Sequence, residues 1–418
     1  MKRALLVAFH FPPFKGSSGI QRTLSFCRYL PENGWDVTVL TVQPRAHAAI
    51  DTTQIEAIPD STRVVRAFAL DSSRHLAIGK RYLRFTALPD QWISWLPAAV
   101  AKGRRIAKTD AVDAIISTYP IATAHLIAYY LKRLTGLPWI ADFRDSMVDS
   151  EFPEDPVQRR AFTRVEQRAM STADRAIFAA PGCLEMYGQR YPMSEGRLRV
   201  IENGYDEASF DGLSDKNETL LAGGPVTLLH SGLIYSSERD PTAFFDALAE
   251  LKRTGDIGGD RLRIVLRASG SAGLFGAMVR ERDIEDIVSL PPAIPYRDAL
   301  REMFEADGLL VLQARNCNHL IPAKLYEYFR ARRPIIALTE PAGDTGTKLA
   351  AAGIDTLARL DDVSGIKSLI MRVLREARTG KLPVADDAAV QATNRQSRAS
   401  ELASLLDELI VANPRTGT

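Results

Sequence analysis

Long apolar runs, paired cysteines and any marked excess of charge are all missing from this 418-residue sequence. No apolar stretch approaches the ~20 residues needed to span a bilayer, so the chain is expected at most to lie on a membrane. Cys27, Cys183 and Cys317 are the only cysteines. They are odd in number and far apart, which offers neither a disulfide framework nor zinc-ligand spacing and points to a reducing cytoplasm. Basic residues number 53 against 51 acidic, a net charge of +2, so no field of the kind that holds nucleic acid is expected. Low-complexity tracts and short-period repeats are absent too. The opening MKRALLVAFHFPPF has the basic and apolar ingredients of a leader, but Pro12 and Pro13 cut it short and no small-residue cleavage site follows; it reads as a first strand.

What is present is a globular composition, 46% hydrophobic and 25% charged, long enough for two cored domains. Short two-sided apolar runs alternate with helical patterns. Ala4–Phe9, Asp36–Thr41, Arg63–Phe68, Val112–Thr118, Pro138–Asp142, Arg175–Ala179 and Arg197–Ile201 read as strands, and the pattern restarts at Pro225–His230. Such alternation specifies an α/β fold with parallel sheets. The first connection, Phe14-Lys15-Gly16-Ser17-Ser18-Gly19, is a glycine and serine loop. Ser18 and Gln21 form a capping-box pattern at the start of the next helix. The loop is either a tight connection or a place where backbone N–H groups meet a ligand.

The stretch that organises the rest is HLIPAKLYEYFRARRPIIAL, His319 to Leu338. Apolar runs at 308–312 and 334–338 flank it, so the piece between is a crossover helix, with Pro322 in its first turn. Leu325, Tyr328 and Phe329 recur at the spacing of one buried face. Lys324 and Glu327, three apart, share a side near the helix's positive end. A cation there suits a phosphate, and a carboxylate one turn on suits the two hydroxyls of a ribose. The plain alternative is a solvated surface pair.

Elsewhere, Asp142, Arg144 and Asp145 follow an apolar strand, at the edge where open α/β sheets place ligands; a salt-bridged loop is the alternative. A metal at Asp142 and Asp145 lacks a supporting acidic cluster. Between 45 and 110, Lys80, Arg81, Arg84, Trp92, Trp95, Lys102, Arg104 and Arg105 mix charge with aromatics. The mixture fits either an interfacial segment or, as the scattered tryptophans favour, a helix with aromatics in the core.

The run of strand, loop, Pro322-Ala323-Lys324-Leu325-Tyr326-Glu327-Tyr328, basic turn and Pro334-Ile335-Ile336-Ala337 resembles the C-terminal signature of family 4 glycosyltransferases. Pro12-Pro13, the Gly/Ser loop and Arg22 resemble that family's N-terminal loop. Asp142-Phe143-Arg144-Asp145 and Asn203-Gly204-Tyr205-Asp206 resemble two further blocks. The resemblance implies the GT-B fold, two Rossmann-like doubly wound domains facing each other across a cleft. The expected bounds are 1–210, a linker at 211–224, and 225–387, with a terminal helix at 388–412 returning to the first domain.

The same resemblance implies transfer of a sugar from a nucleoside diphosphate sugar to a hydroxyl acceptor with retention, without metal or other cofactor. The acceptor would be a saccharide or lipid-linked saccharide in surface polysaccharide or glycolipid synthesis, met in the cytoplasm or peripherally at the inner membrane face. Donor contacts fall to Gly16, Ser17, Ser18, Gly19, Gly232, Arg239, Ile294, Tyr296, Ile321, Lys324 and Glu327. Asp142, Arg144, Asp145 and His319 are the candidates at the reacting groups. The sequence departs from the family pattern at His319, where a glutamate is common, at Leu233 in place of a cation, and at Ala293 in place of a glycine. These departures keep a non-catalytic partner protein in view as one rival; the other is an epimerase or hydrolase on the same fold.

Overall fold

The computed structural model describes residues 1–16, 19–79, 81–213, 224–235 and 237–412. The chain divides into two compact units, Met1–Asn203 together with the C-terminal stretch from Arg395, and Gly204–Asn394. Ser17 and Ser18 lie outside the described residues, as does Lys80, so the capping box expected from Ser18 and Gln21 falls there too.

The first unit is built on seven strands: β1 (Lys2–Ala8), β2 (Trp35–Val42), β3 (Arg63–Ala67), β4 (Ala114–Thr118), β5 (Trp139–Arg144), β6 (Arg175–Phe178) and β7 (Leu198–Val200). They pair in the order β3-β2-β1-β4-β5-β6-β7, every pairing parallel. β1 is central because its residues from Ala4 onward are apolar on both faces. Leu5, Val7 and Phe9 join one core layer, and Ala4, Leu6 and Ala8 the other. The helix Arg395–Ala412 completes the second layer with Ala399, Leu402, Leu406 and Leu409. At about 1.5–3 kcal/mol for each large aliphatic side chain buried, this strip contributes substantially to the first unit.

The second unit carries β8 (Val226–Ser231), β9 (Leu262–Arg267), β10 (Val288–Ser289), β11 (Gly308–Leu312), β12 (Ile335–Leu338) and β13 (Leu357–Ala358). Their order is β10-β9-β8-β11-β12-β13, again all parallel. In each sheet the order reverses beside the first strand of the unit, between β1 and β4 and between β8 and β11. Ligands of open α/β sheets bind outside the strand C-termini at such switch points.

Two expectations are corrected, and a third stretch follows the favoured reading. The units divide at Asn203 and Gly204 rather than near 210, because Glu207 bonds Arg330 and Phe210 packs edge-on against Phe304. The expected single helix 388–412 is two, Asp387–Gln391 and Arg395–Ala412. The chain breaks between them, where the Thr393 carbonyl accepts from the Tyr205 N–H. The irregular stretch before 110 contains the helix Trp95–Thr109, with Trp95 wholly buried and Trp92 donating its indole N–H to the Ala46 carbonyl. The tryptophans are therefore core residues. The exposed large apolar side chains of that region include Ile78, Tyr82, Leu83 and Phe85.

Candidate functional site

In the second unit, β8 ends at Ser231 and the chain turns at Gly232 with φ of +111°. A Cβ at Gly232 would stand 3.3 Å from Lys324 Nζ, so glycine serves here both for its positive φ and for the room it leaves the lysine. Lys324 opens the helix Lys324–Ala331. Pro322 sits just ahead of that helix, its carbonyl accepting from the Leu325 N–H.

Lys324 Nζ lies 2.8 Å from His230 Nε2, and His230 Nδ1 lies 2.9 Å from the Leu310 carbonyl oxygen. A carbonyl only accepts, so the ring proton is on Nδ1 and Nε2 accepts from Lys324. His230 is fully buried. Burial, and next the charge of Lys324, hold its pKa well below the usual histidine range. Burial and then Arg239 hold Lys324 well below an ordinary lysine, against the opposing pull of Glu327.

Glu327 accepts from the Tyr296 hydroxyl at 2.6 Å. Tyr296, expected to meet a nucleotide base, begins the helix Tyr296–Glu305 and also orients the glutamate. Tyr328, from the same helix as Glu327, accepts from the Ser231 N–H at 3.0 Å and ties that helix to the end of β8. Arg239 folds over the Tyr235 ring and donates to the Leu233 carbonyl at 2.6 Å. Leu233 is 44% exposed.

The loop leading to Lys324 is pinned from beneath by Gln313, which donates to the carbonyls of Cys317 and Leu320 at 2.8 and 2.9 Å. His319 rides on this loop, half-buried, with Nε2 enclosed and unbonded. Ile294 is half-buried. Ile321 is only 6% exposed, its side chain packed inward.

In the first unit, Arg22 and Asp142 form a two-pronged pair, Nε to Oδ2 and Nη2 to Oδ1, each 3.0 Å. Thr118 donates to the same carboxylate at 3.0 Å, while Arg22 also reaches the carbonyls of Ile201 and Glu202. Asp142 is wholly buried and Arg22 4% exposed. The expectation that Asp142 touches substrate is therefore corrected: both oxygens are engaged, and the residue braces β4, β5 and the helix Gly19–Tyr29 together.

Arg144 follows a register shift in the β5–β6 pairing and has φ of +61°, a left-handed conformation uncommon for a side-chain-bearing residue. It is 8% exposed, donates to the Tyr119 carbonyl at 3.3 Å, and its Nε is enclosed without a partner. Asp145 is half-buried and its charge opposes the lowering that burial imposes on Arg144. His10, at the end of β1, stacks on Phe14 at 4.6 Å. Burial, then Arg144 and His47, take His10 down to about 3. Gly16 is exposed with φ of +104°, and Gly19 starts its helix in the interior.

Sequence reasoning missed His230, Gln313, Tyr328 and His10. A signal existed for His230 and Gln313, each a polar side chain at the end of an otherwise apolar strand. Among the described residues, no three His, Cys, Asp or Glu side chains gather as a metal-binding set.

Residues 18–204 match the family model described as a glycosyl transferase 4-like domain. No curated protein matches the chain in sequence. Solved structures resemble it throughout. A sucrose-phosphate synthase from Thermosynechococcus elongatus has a TM-score of 0.72 at 17% identity, covering 99% of this chain and 100% of its own. HepE of Anabaena, solved with UDP and glucose, has a TM-score of 0.63 at 14% identity, covering 99% of each chain. The lipopolysaccharide outer core galactosyltransferase WaaB has a TM-score of 0.59 at 13% identity, covering 97% of this chain and 100% of its own. The shared architecture is the GT-B fold.

Proposed function

We propose that this glycosyltransferase family 4-like chain moves a sugar from a nucleoside diphosphate sugar to a hydroxyl acceptor with retention at the anomeric carbon. The observation that carries the reading is the arrangement at the β8–β11 switch point. One short helix presents both Lys324 and Glu327 from its first turn, and a tyrosine and a buried histidine fix both side chains. Lys324 and Arg239 would meet the diphosphate, and Glu327 would accept from the ribose hydroxyls. That HepE was solved with UDP-glucose is in keeping with a donor of this class.

In the reaction, the bond from the anomeric carbon to the diphosphate oxygen breaks and its electron pair leaves with the diphosphate. Lys324 and Arg239 stabilise that charge where it develops. The acceptor oxygen bonds to the anomeric carbon on the face the diphosphate leaves, and the leaving phosphate takes the acceptor's proton. No side chain need act as a strong base. The chain's own cations serve the leaving group, so no metal or other cofactor is proposed. Arg144 and Asp145 would bind acceptor, and His319 would face the donor sugar.

A lipid-linked or growing saccharide is the proposed acceptor, reached from the cytoplasm with the protein resting on the inner face of the membrane. Its supports are the exposed Ile78, Tyr82, Leu83 and Phe85, interleaved with Arg81 and Arg84. No helix among the described residues is long and apolar enough to cross a membrane.

Thermal-shift binding of a panel of nucleoside diphosphates tests the donor site. A ligand at a hundred times its Kd should add about 2.7 kcal/mol of stability, lost in Glu327→Ala. No shift with any nucleotide would remove the reading. Loss of donor without any acceptor would turn it towards the hydrolase or epimerase.

A further inference from the structure

We propose that His230 is a positioning residue for the donor site, and that donor binding takes up a proton at Lys324. The inference rests on reading Lys324 as a diphosphate cation. It stands on three contacts: Leu310 carbonyl to His230 Nδ1 at 2.9 Å, His230 Nε2 to Lys324 Nζ at 2.8 Å, and Gly232 with no side chain to displace that nitrogen.

The identity of the partner decides the behaviour. A carboxylate in place of His230 would hold Lys324 as ammonium at any ordinary pH. A neutral imidazole lone pair accepts an N–H from ammonium and from free amine alike, so it fixes where Nζ stands without fixing its charge. Among the described residues, two charges act on Lys324. Arg239, from the loop after β8, disfavours the ammonium, and Glu327, one turn along its own helix, favours it but is shared with the Tyr296 hydroxyl. Burial also disfavours the charged form, leaving Lys324 well below an ordinary lysine.

An arriving diphosphate adds negative charge beyond that of Glu327. It raises the lysine's pKa, and whatever fraction was neutral takes a proton from solvent. Affinity is then flat with pH on the acid side and falls by up to tenfold per pH unit above the free lysine's pKa.

Calorimetric titration of the full chain tests this, using UDP-glucose, ADP-glucose, GDP-mannose and dTDP-glucose in Pipes, Hepes and Tris between about pH 6.5 and 8.5. A diphosphate esterified at both ends has no titrating phosphate in this range, so any buffer-dependent heat belongs to the protein. For a nucleotide sugar that binds, the expected result is proton uptake that grows with pH towards one. Lys324→Arg should bind with no uptake, because guanidinium is always charged. His230→Gln, which keeps an acceptor, should stay within a few-fold of the native affinity. His230→Leu should lose at least tenfold and shift the pH midpoint, which a merely structural loss would not do. Because a buried leucine there risks misfolding, the native chain's heats decide. Binding with identical heats in all buffers overturns the inference alone, as does uptake that persists in Lys324→Arg. Failure of all four nucleotide sugars to bind overturns the donor-site reading with it.

Discussion

Asp142 and Glu327 are both carboxylates near the ends of apolar segments, yet their surroundings assign them opposite work. Asp142 has no exposed atom and three donors on its two oxygens, whereas Glu327 is half-exposed and receives the Tyr296 hydroxyl on one oxygen. Asp142→Ala is therefore expected to destabilise the first unit by about 3–5 kcal/mol, since it strands the Arg22 guanidinium in the interior. Chemical denaturation would read this directly, and a loss below about 1 kcal/mol would mean that Arg22 finds other partners. The sequence showed that Asp142 was polar at a strand end. It did not show that Arg22, 120 positions earlier, would fold onto it. Pairings between distant segments leave no local pattern, which is also why His230 was passed over: a histidine in an apolar run reads as core until its lysine is seen.

At the scale of elements, legibility followed burial. β11, the helix after it and β12 were readable to within two residues because apolar spacing and proline punctuation agreed there. The segment between β3 and the helix Trp95–Thr109 was not, because its order comes from polar bonds. Asp71 accepts from the Ser73 and Arg74 N–H groups, and Asp90 from the Thr123 N–H and hydroxyl. This segment leaves Ile78 87%, Leu83 66% and Phe85 71% exposed, more large apolar surface than scattered single residues explain. If these side chains enter a lipid headgroup layer, the native chain should float with vesicles containing anionic lipid. The double variant Ile78→Glu and Phe85→Glu should stay with the soluble fraction while keeping its nucleotide binding. Equal flotation of both proteins would remove this segment from any membrane role. Arg84, paired with Asp155, adds less to such attachment than an unpaired arginine would.

For the whole molecule, the distribution of histidines predicts an acid sensitivity. Burial lowers His10 to about 3 and His47 and His125 to about 4 in the first unit, and lowers His230 well below the usual range in the second. In the unfolded chain each binds a proton near pH 6.5, so the unfolded state holds more protons as pH falls below that value. Each buried histidine then removes up to about 1.4 kcal/mol of stability per pH unit, until the folded ring also titrates. Denaturant midpoints measured from about pH 7 to pH 5 should drop, most steeply for the first unit, which contains three of the four. A flat profile would show that these rings are hydrated.

The two sheets were legible from alternation, and the return of a terminal helix to the first unit followed from the family resemblance; which side chains that helix lays on β1's layer was visible only in the fold. That assembly governs synthesis. Translation reaches Leu402, Leu406 and Leu409 only after Gly204 to Asn394, so until then the layer of Ala4, Leu6 and Ala8 has the helix Gly19–Tyr29 but lacks the helix Arg395–Ala412. A nascent chain stalled short of Arg395 would therefore have its earlier-made unit incomplete, with part of this apolar layer open to chaperones.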